Sequence, residues 1–254
     1  MIKENKLKKI IKDGGCAIGT FVKFNDPSIA EILGIVGYDF FVLDNEHVTM
    51  NRQSMVEIIR AANTTDIVPI VRVRKNEDVE VLQALDSGAL GVQVPNVDTF
   101  EQASNLARYA KYTPDGTRGF SPSVRAAHYG QMDKMEYVKF ANENTLVVSH
   151  CETVTCVENL DEILTIPNID VIFIGPMDLS QSLGVIGQAT HPLVVETIDK
   201  VIKKVRAAGK AVGIVSSPDK AQEYIDRGVQ YLLVGTDQGM VAGAAKANLA
   251  KIKG

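Results

Sequence analysis

The chain has 254 residues, 45% of them hydrophobic, and 27 Lys and Arg stand against 31 Asp and Glu for a formal net charge of −4. That length buries a large core and suits one α/β barrel or two small domains. The balanced charge argues against nucleic acid or an anionic membrane as a partner, and no apolar run is long enough to span a bilayer.

Residues 1–13 are lysine-rich and amphipathic, with Leu7, Ile10 and Ile11 on one side. They lack the apolar stretch of a signal peptide and read as a helix. A strand is expected over 17–22 and a helix over 27–36, with Pro27 near its start. A second strand over 40–43 leads to a helix over 52–62. The third, 68–73, leads to a helix over 78–87 that Gly88 closes. The fourth, 91–94, ends at Pro95 and precedes a helix over 99–110. A loop bearing Gly, Pro and Ser, 113–123, then breaks the rhythm and is a candidate cover for a site. A helix over 134–144 comes next, then strands over 146–151 and 171–174, and a long helix over 192–208. Strands over 211–215 and 231–234 and a helix over 241–252 complete the chain.

Short, fully apolar runs of this kind are the habit of parallel strands covered by helices on both faces. Eight of them predict a (β/α)8 TIM barrel with an extra N-terminal helix, as one domain over residues 1–254. A doubly wound sheet would carry fewer strands and a glycine-rich first turn. Gly14-Gly15-Cys16-Ala17-Ile18-Gly19 is no such turn. Cys16, Cys151 and Cys156 form neither a C-x-x-C nor a paired framework, which fits a reducing cytoplasm.

In a barrel, the residues just past each strand's C-terminal end face the active site. Those residues here are Lys23, then Asp44, Glu46 and His47, then Arg72, then His150 and Glu152, then Asp178. Asp178, past the Ile174-Gly175-Pro176 turn, would otherwise be a helix cap. Glu152 and Asp178 make a hard-oxygen pair suited to Mg²⁺ or Mn²⁺, completed by waters and by substrate oxygens. A 2-keto acid chelated there would have acidified C3 protons, with Arg72 to stabilise the enolate and His47 to accept a proton near neutral pH. A Schiff-base mechanism would need a desolvated lysine. Lys23 is the one candidate, and it reads as a solvated rim residue.

Several runs carry a resemblance: Asp44-Asn45-Glu46-His47, Pro69-Ile70-Val71-Arg72, Leu85-Asp86-Ser87-Gly88-Ala89, Gly116-Thr117-Arg118-Gly119, the segment from Glu152 to Leu164, and Ile174-Gly175-Pro176-Met177-Asp178-Leu179-Ser180. From about residue 19 to 244 the chain resembles the HpcH/HpaI aldolase family, metal-dependent class II pyruvate aldolases. The resemblance implies His47 as proton acceptor, Arg72 as transition-state stabiliser, and Asp86 as the acid that raises the histidine's basicity. It also implies Glu152 and Asp178 as ligands of Mg²⁺, Mn²⁺ or Co²⁺, and backbone around Gly175, Pro176 and Met177 holding the substrate carboxylate. Reversible cleavage of a 4-hydroxy-2-keto acid to pyruvate and an aldehyde is the implied reaction. The implied assembly is a homo-oligomer, a hexamer built as a trimer of dimers that exchange their last helix. Two positions depart from the family pattern. His150 replaces a glutamine that touches substrate, so it would contact the keto acid or add a third metal ligand. Met177 replaces Ala or Ser and would narrow the aldehyde pocket. The alternatives on the same platform are a lyase or decarboxylase of a 2-keto diacid or acyl-CoA, and a non-catalytic barrel that binds a keto acid.

Overall fold

In the computed structural model, which describes residues 3–253, eight parallel strands close into a barrel in sequence order. They are β1 (Ala17–Val22), β2 (Phe40–Asp44), β3 (Val68–Arg72), β4 (Gly91–Val94), β5 (Leu146–Cys151), β6 (Val171–Ile174), β7 (Ala211–Ser216) and β8 (Tyr231–Thr236). β1 pairs with β8, so the sheet has no free edge. The expected TIM barrel is therefore the observed fold. Met1, Ile2 and Gly254 of the expected 1–254 domain lie outside the described residues.

Alternate side chains of each strand point inward. Phe21, Phe40, Val42, Ile70, Val148, Phe173 and Tyr231 belong to one buried cluster inside the barrel, and the other face of the strands packs on the helices. The first helix, α1 (Lys6–Lys12), inserts Leu7 into the inner cluster and so plugs the N-terminal end of the barrel. Packing of this kind fills the interior and leaves the C-terminal rim for chemistry.

Most expected helices are present: α2 (Ser28–Val36), α3 (Arg52–Ala61), α4 (Asp78–Asp86), α5 (Phe100–Ala110) and α6 (Lys134–Asn144). Two more, α7 (Val154–Ile163) and α8 (Pro176–Ser182), precede the long α9 (Pro192–Ala207). A third, α10 (Pro218–Asp226), lies between β7 and β8. The sequence pattern predicts none of these three. α7 starts where the Thr153 hydroxyl accepts from the Cys156 N–H. α8 and α10 both start on a proline at the first helical position, which reads as a turn in sequence but is well suited to a helix start. The terminal helix, α11 (Asp237–Lys253), begins earlier than expected because Asp237 ends the barrel itself. Its carboxylate accepts from the N–H groups of Lys23 and Phe24, both at 2.9 Å, and joins the end of β8 to the end of β1.

One expectation is overturned. The 113–123 loop comes after α5, which runs back from the rim, so the loop lies at the N-terminal end of the barrel and cannot cover its own chain's rim. It is packed there: Arg118 is buried, stacks over Tyr112 at 4.5 Å and bonds Asp86 at 2.6 Å. The three cysteines are free thiols, with Cys151 and Cys156 buried. Among the described residues no helix is long and apolar enough to cross a membrane.

Candidate active site

Asp44 is the last residue of β2 and stands opposite Arg72, the last of β3, in the strand register. At 0% exposure, its carboxylate is held by a two-pronged bond from Arg72, with Nε on Oδ1 at 3.0 Å and Nη2 on Oδ2 at 2.6 Å. Lys23 Nζ adds an ion pair at 3.3 Å, and the N–H groups of Glu46 and His47 donate to Oδ1. Burial pushes the Asp44 carboxyl up. The Arg72 fork, the His47 N–H and the Lys23 charge outweigh that effect and hold it below the usual carboxylate range. Lys23 is thus anchored in an ionic cluster, which corrects its reading as a solvated rim residue.

The remaining Arg72 nitrogen, Nη1, reaches Glu46 at 3.2 Å, and the guanidinium lies over the Phe21 ring at 4.6 Å. Fixed on three sides, Arg72 presents a cation of set direction to the mouth of the barrel. Burial raises the Glu46 carboxyl above its usual value, against the pull of Arg72 and His47. His47 itself is open, with a side chain 53% exposed and Nε2 3.6 Å from Glu46.

A second cluster faces the first. Glu152 lies just past β5 at 5% exposure, with Oε1 accepting from the Asn96 N–H at 3.0 Å and Oε2 bonded to His150 Nδ1 at 2.7 Å. Burial raises its pKa, but the His150 ring, the Asn96 N–H and the Arg72 charge lower it further, so Glu152 stays below the ordinary carboxylate value. Asp178 sits in the first turn of α8, and its carboxylate makes no hydrogen bond or ion pair among the described residues. Gly175, between them in space, shows how close they come. A Cβ built on it would stand 2.7 Å from Glu152 Oε2 and 3.5 Å from Asp178 Oδ2. Only glycine leaves that cradle empty.

The two carboxylates therefore converge on one space beside Gly175. Among the described residues no group of three or more His, Cys, Asp or Glu is arranged to hold a metal ion. Two carboxylates suit Mg²⁺ or Mn²⁺, which keep several waters and take substrate oxygens as ligands. The donor set thus fits a hard divalent cation.

A model of the HpcH/HpaI aldolase/citrate lyase family matches residues 17–244. The chain belongs to this family. It is 38% identical over 251 residues to a hydroxypyruvate/pyruvate aldolase of Roseobacter denitrificans, covering 98% of this chain and 97% of the relative. A 2-keto-3-deoxy-L-rhamnonate aldolase of Escherichia coli K12 is 35% identical, with 98% and 93% covered. Among solved structures, an HpcH/HpaI family protein of Burkholderia cenocepacia superposes with a TM-score of 0.93 at 30% identity, covering 98% of this chain and 100% of that one.

Of the residues the family resemblance singles out, His47, Arg72, Glu152, Asp178 and Gly175 share the rim. Asp86 does not. Helix α4 runs back from the rim, so its last residue, Asp86, lies at the opposite end of the barrel, bonded to Arg118. Within one chain it cannot touch His47. His150 is on the site's floor with both ring nitrogens already bonded, to Gln93 and to Glu152. That leaves it no lone pair for a metal. Met177 is 56% exposed, whereas Gly175 and Pro176 are buried. Sequence reasoning misses Gln93, Tyr231 and the Asn96 N–H. Gln93 and Tyr231 lie inside apolar strand runs, and the only signal is a lone amide or phenol where the inward pleat demands an apolar side chain.

Proposed function

We propose that this barrel is a divalent-metal-dependent aldolase that reversibly cleaves a 4-hydroxy-2-keto acid to pyruvate and an aldehyde. The observation that carries the reading is the convergence of Glu152 and Asp178 beside Gly175, facing Arg72 across the rim. Glu152 and Asp178 would hold Mg²⁺, Mn²⁺ or Co²⁺, which when bound would polarise the keto acid's carbonyl. Arg72, kept rigid by Asp44 and Phe21, pairs with the oxygen that becomes negative as the C3–C4 bond breaks. His47 takes the proton of the 4-hydroxyl, the aldehyde leaves, and a proton returned to C3 gives pyruvate. The family resemblance assigns the substrate carboxylate to the backbone around Gly175, Pro176 and Met177, and Met177 to the wall met by the aldehyde.

The oligomer belongs to the same proposal. α11 buries only Asp237 and leaves Val241, Leu249 and Ile252 exposed, and α2 exposes Ile32, Ile35 and Val36. Apolar helix faces of this kind are covered when a second copy docks. Asp86 and His47 lie at opposite ends of one barrel, so the basicity role of Asp86 requires Asp86 of one copy to meet His47 of another. Mixing inactive His47→Ala with inactive Asp86→Ala subunits should then restore part of the activity. A mixture as inactive as its parents would remove Asp86 from the mechanism. Cytoplasmic location and action as one domain are carried with this reading.

Deuterium exchange of pyruvate's methyl protons, followed by NMR in D₂O, tests the half-reaction without choosing an aldehyde. Exchange should vanish with EDTA, return with Mn²⁺ and fail in Arg72→Ala. Exchange that ignores EDTA would refute the metal reading.

A further inference from the structure

Beneath Glu152 a hydrogen-bonded chain crosses the barrel interior and links three strands. The Tyr231 hydroxyl, on β8, donates to Gln93 Oε1, on β4, at 2.8 Å. Gln93 Nε2 meets His150 Nε2, on β5, at 2.8 Å, and His150 Nδ1 meets Glu152 Oε2 at 2.7 Å. Tyr231, Gln93 and His150 are all at least 99% buried. Phe173 packs against the imidazole with ring centroids 4.9 Å apart, and Phe40 packs against Tyr231 at 4.3 Å.

Each bond in this chain has a direction. A carboxylate only accepts, so His150 Nδ1 carries a hydrogen and donates it. The Tyr231 hydroxyl occupies the amide oxygen of Gln93 and turns the NH₂ toward His150. An NH₂ only donates, so Nε2 accepts. The chain thus runs from the Tyr231 hydroxyl through Gln93 and the imidazole to Glu152. A hydrogen on Nε2 would set N–H against N–H at Gln93.

We infer that Gln93 and Tyr231 are positioning residues for Glu152, acting through the hydrogen bond from His150 Nδ1, so that His150 serves the carboxylate from behind. The inference rests on the reading that Glu152 holds the divalent cation. The Nδ1–H donor, held in place by Gln93, fixes the direction of the carboxylate. Outer partners of this kind orient metal ligands. The histidine that departs from the family's glutamine is thereby a support, braced by Gln93 on the neighbouring strand β4.

Mn²⁺ titration of the whole protein, with free Mn²⁺ read by EPR, tests this directly. Gln93→Leu, which frees the imidazole that holds Glu152, should weaken Mn²⁺ binding up to about 10-fold, the low end of the loss for a ligand's direct partner. Tyr231→Phe, which keeps the ring packing, should weaken it by less but in the same direction. Nitrogen-15 spectra of the histidines in the unsubstituted protein should show His150 protonated at Nδ1 and not at Nε2. Wild-type Mn²⁺ affinity in both variants, or an Nε2-protonated His150, would overturn the inference. Glu152→Gln separates the two levels. If it loses Mn²⁺ while Gln93→Leu and Tyr231→Phe bind normally, the relay alone is wrong. If Glu152→Gln binds Mn²⁺ normally, the metal reading fails and the inference with it.

Discussion

Replacing Asp44 with alanine is expected to cost about 3–5 kcal/mol of folding stability, the usual penalty for removing one partner of a buried ion pair. The carboxylate is fully buried and receives Arg72 twice, Lys23 once and two backbone N–H groups. Its removal strands a cation at Arg72 with Glu46 as its nearest remaining acid. Denaturant unfolding followed by circular dichroism would measure the loss. A change under about 1 kcal/mol, the size of an exposed pair's contribution, would show that the cluster is solvated. Asp44 also gives the acid limb a sign. Its folded pKa is lowered, so its contribution is fully present above the unfolded value of about 3.9 and is lost as pH falls through the folded value. Stability should hold from neutral pH down to about pH 4 and fall below it, and Asp44→Asn should flatten that limb.

Gly175→Ala is expected to remove activity by about 100-fold or more while leaving the fold intact, the scale of loss from a misplacement of about 1 Å at a reacting centre. Gly175 has φ −98° and ψ 92°, a conformation open to any residue. The added methyl therefore strains no backbone and meets only what occupies the cradle. It would stand 2.7 Å from Glu152 Oε2 and 3.2 Å from Glu152 Cβ. The carboxylate must swing away, off both the His150 ring and the shared space with Asp178. Thermal unfolding should change little, whereas Mn²⁺ affinity and pyruvate exchange should both collapse. An active Gly175→Ala enzyme would show that Glu152 does not act from the position described.

The eight strands are legible because strands covered on both faces must be apolar throughout, as in Phe40-Phe41-Val42-Leu43 and Val171-Ile172-Phe173-Ile174. The rim comes from the same rule, since the polar residue just past each strand is carried to the active end. α8 and α10 are hidden because Pro176 and Pro218, each at the first helical position, read as turns in the sequence. The 113–123 loop and Asp86 are misplaced unless chain direction is taken into account. Helices of the barrel run back from the rim, so the end of α4 and the loop past α5 lie at the far end. Gln93 and Tyr231 are invisible because a polar side chain inside an apolar strand declares itself only when its partners are known. The resemblance implies a contact of His150 to substrate or metal; its bonds to Gln93 and Glu152 could not be read from the sequence.

The most direct test of the central proposal is pyruvate release from a panel of 4-hydroxy-2-keto acids, coupled to lactate dehydrogenase, with EDTA and then with added Mg²⁺, Mn²⁺ or Co²⁺. The account predicts release that EDTA abolishes, that a divalent cation restores, and that His47→Ala reduces by about 10²–10⁴-fold, the range for a lost general base. Release that persists through EDTA, or no pyruvate from any member of the panel in protein that still binds Mn²⁺, would contradict it.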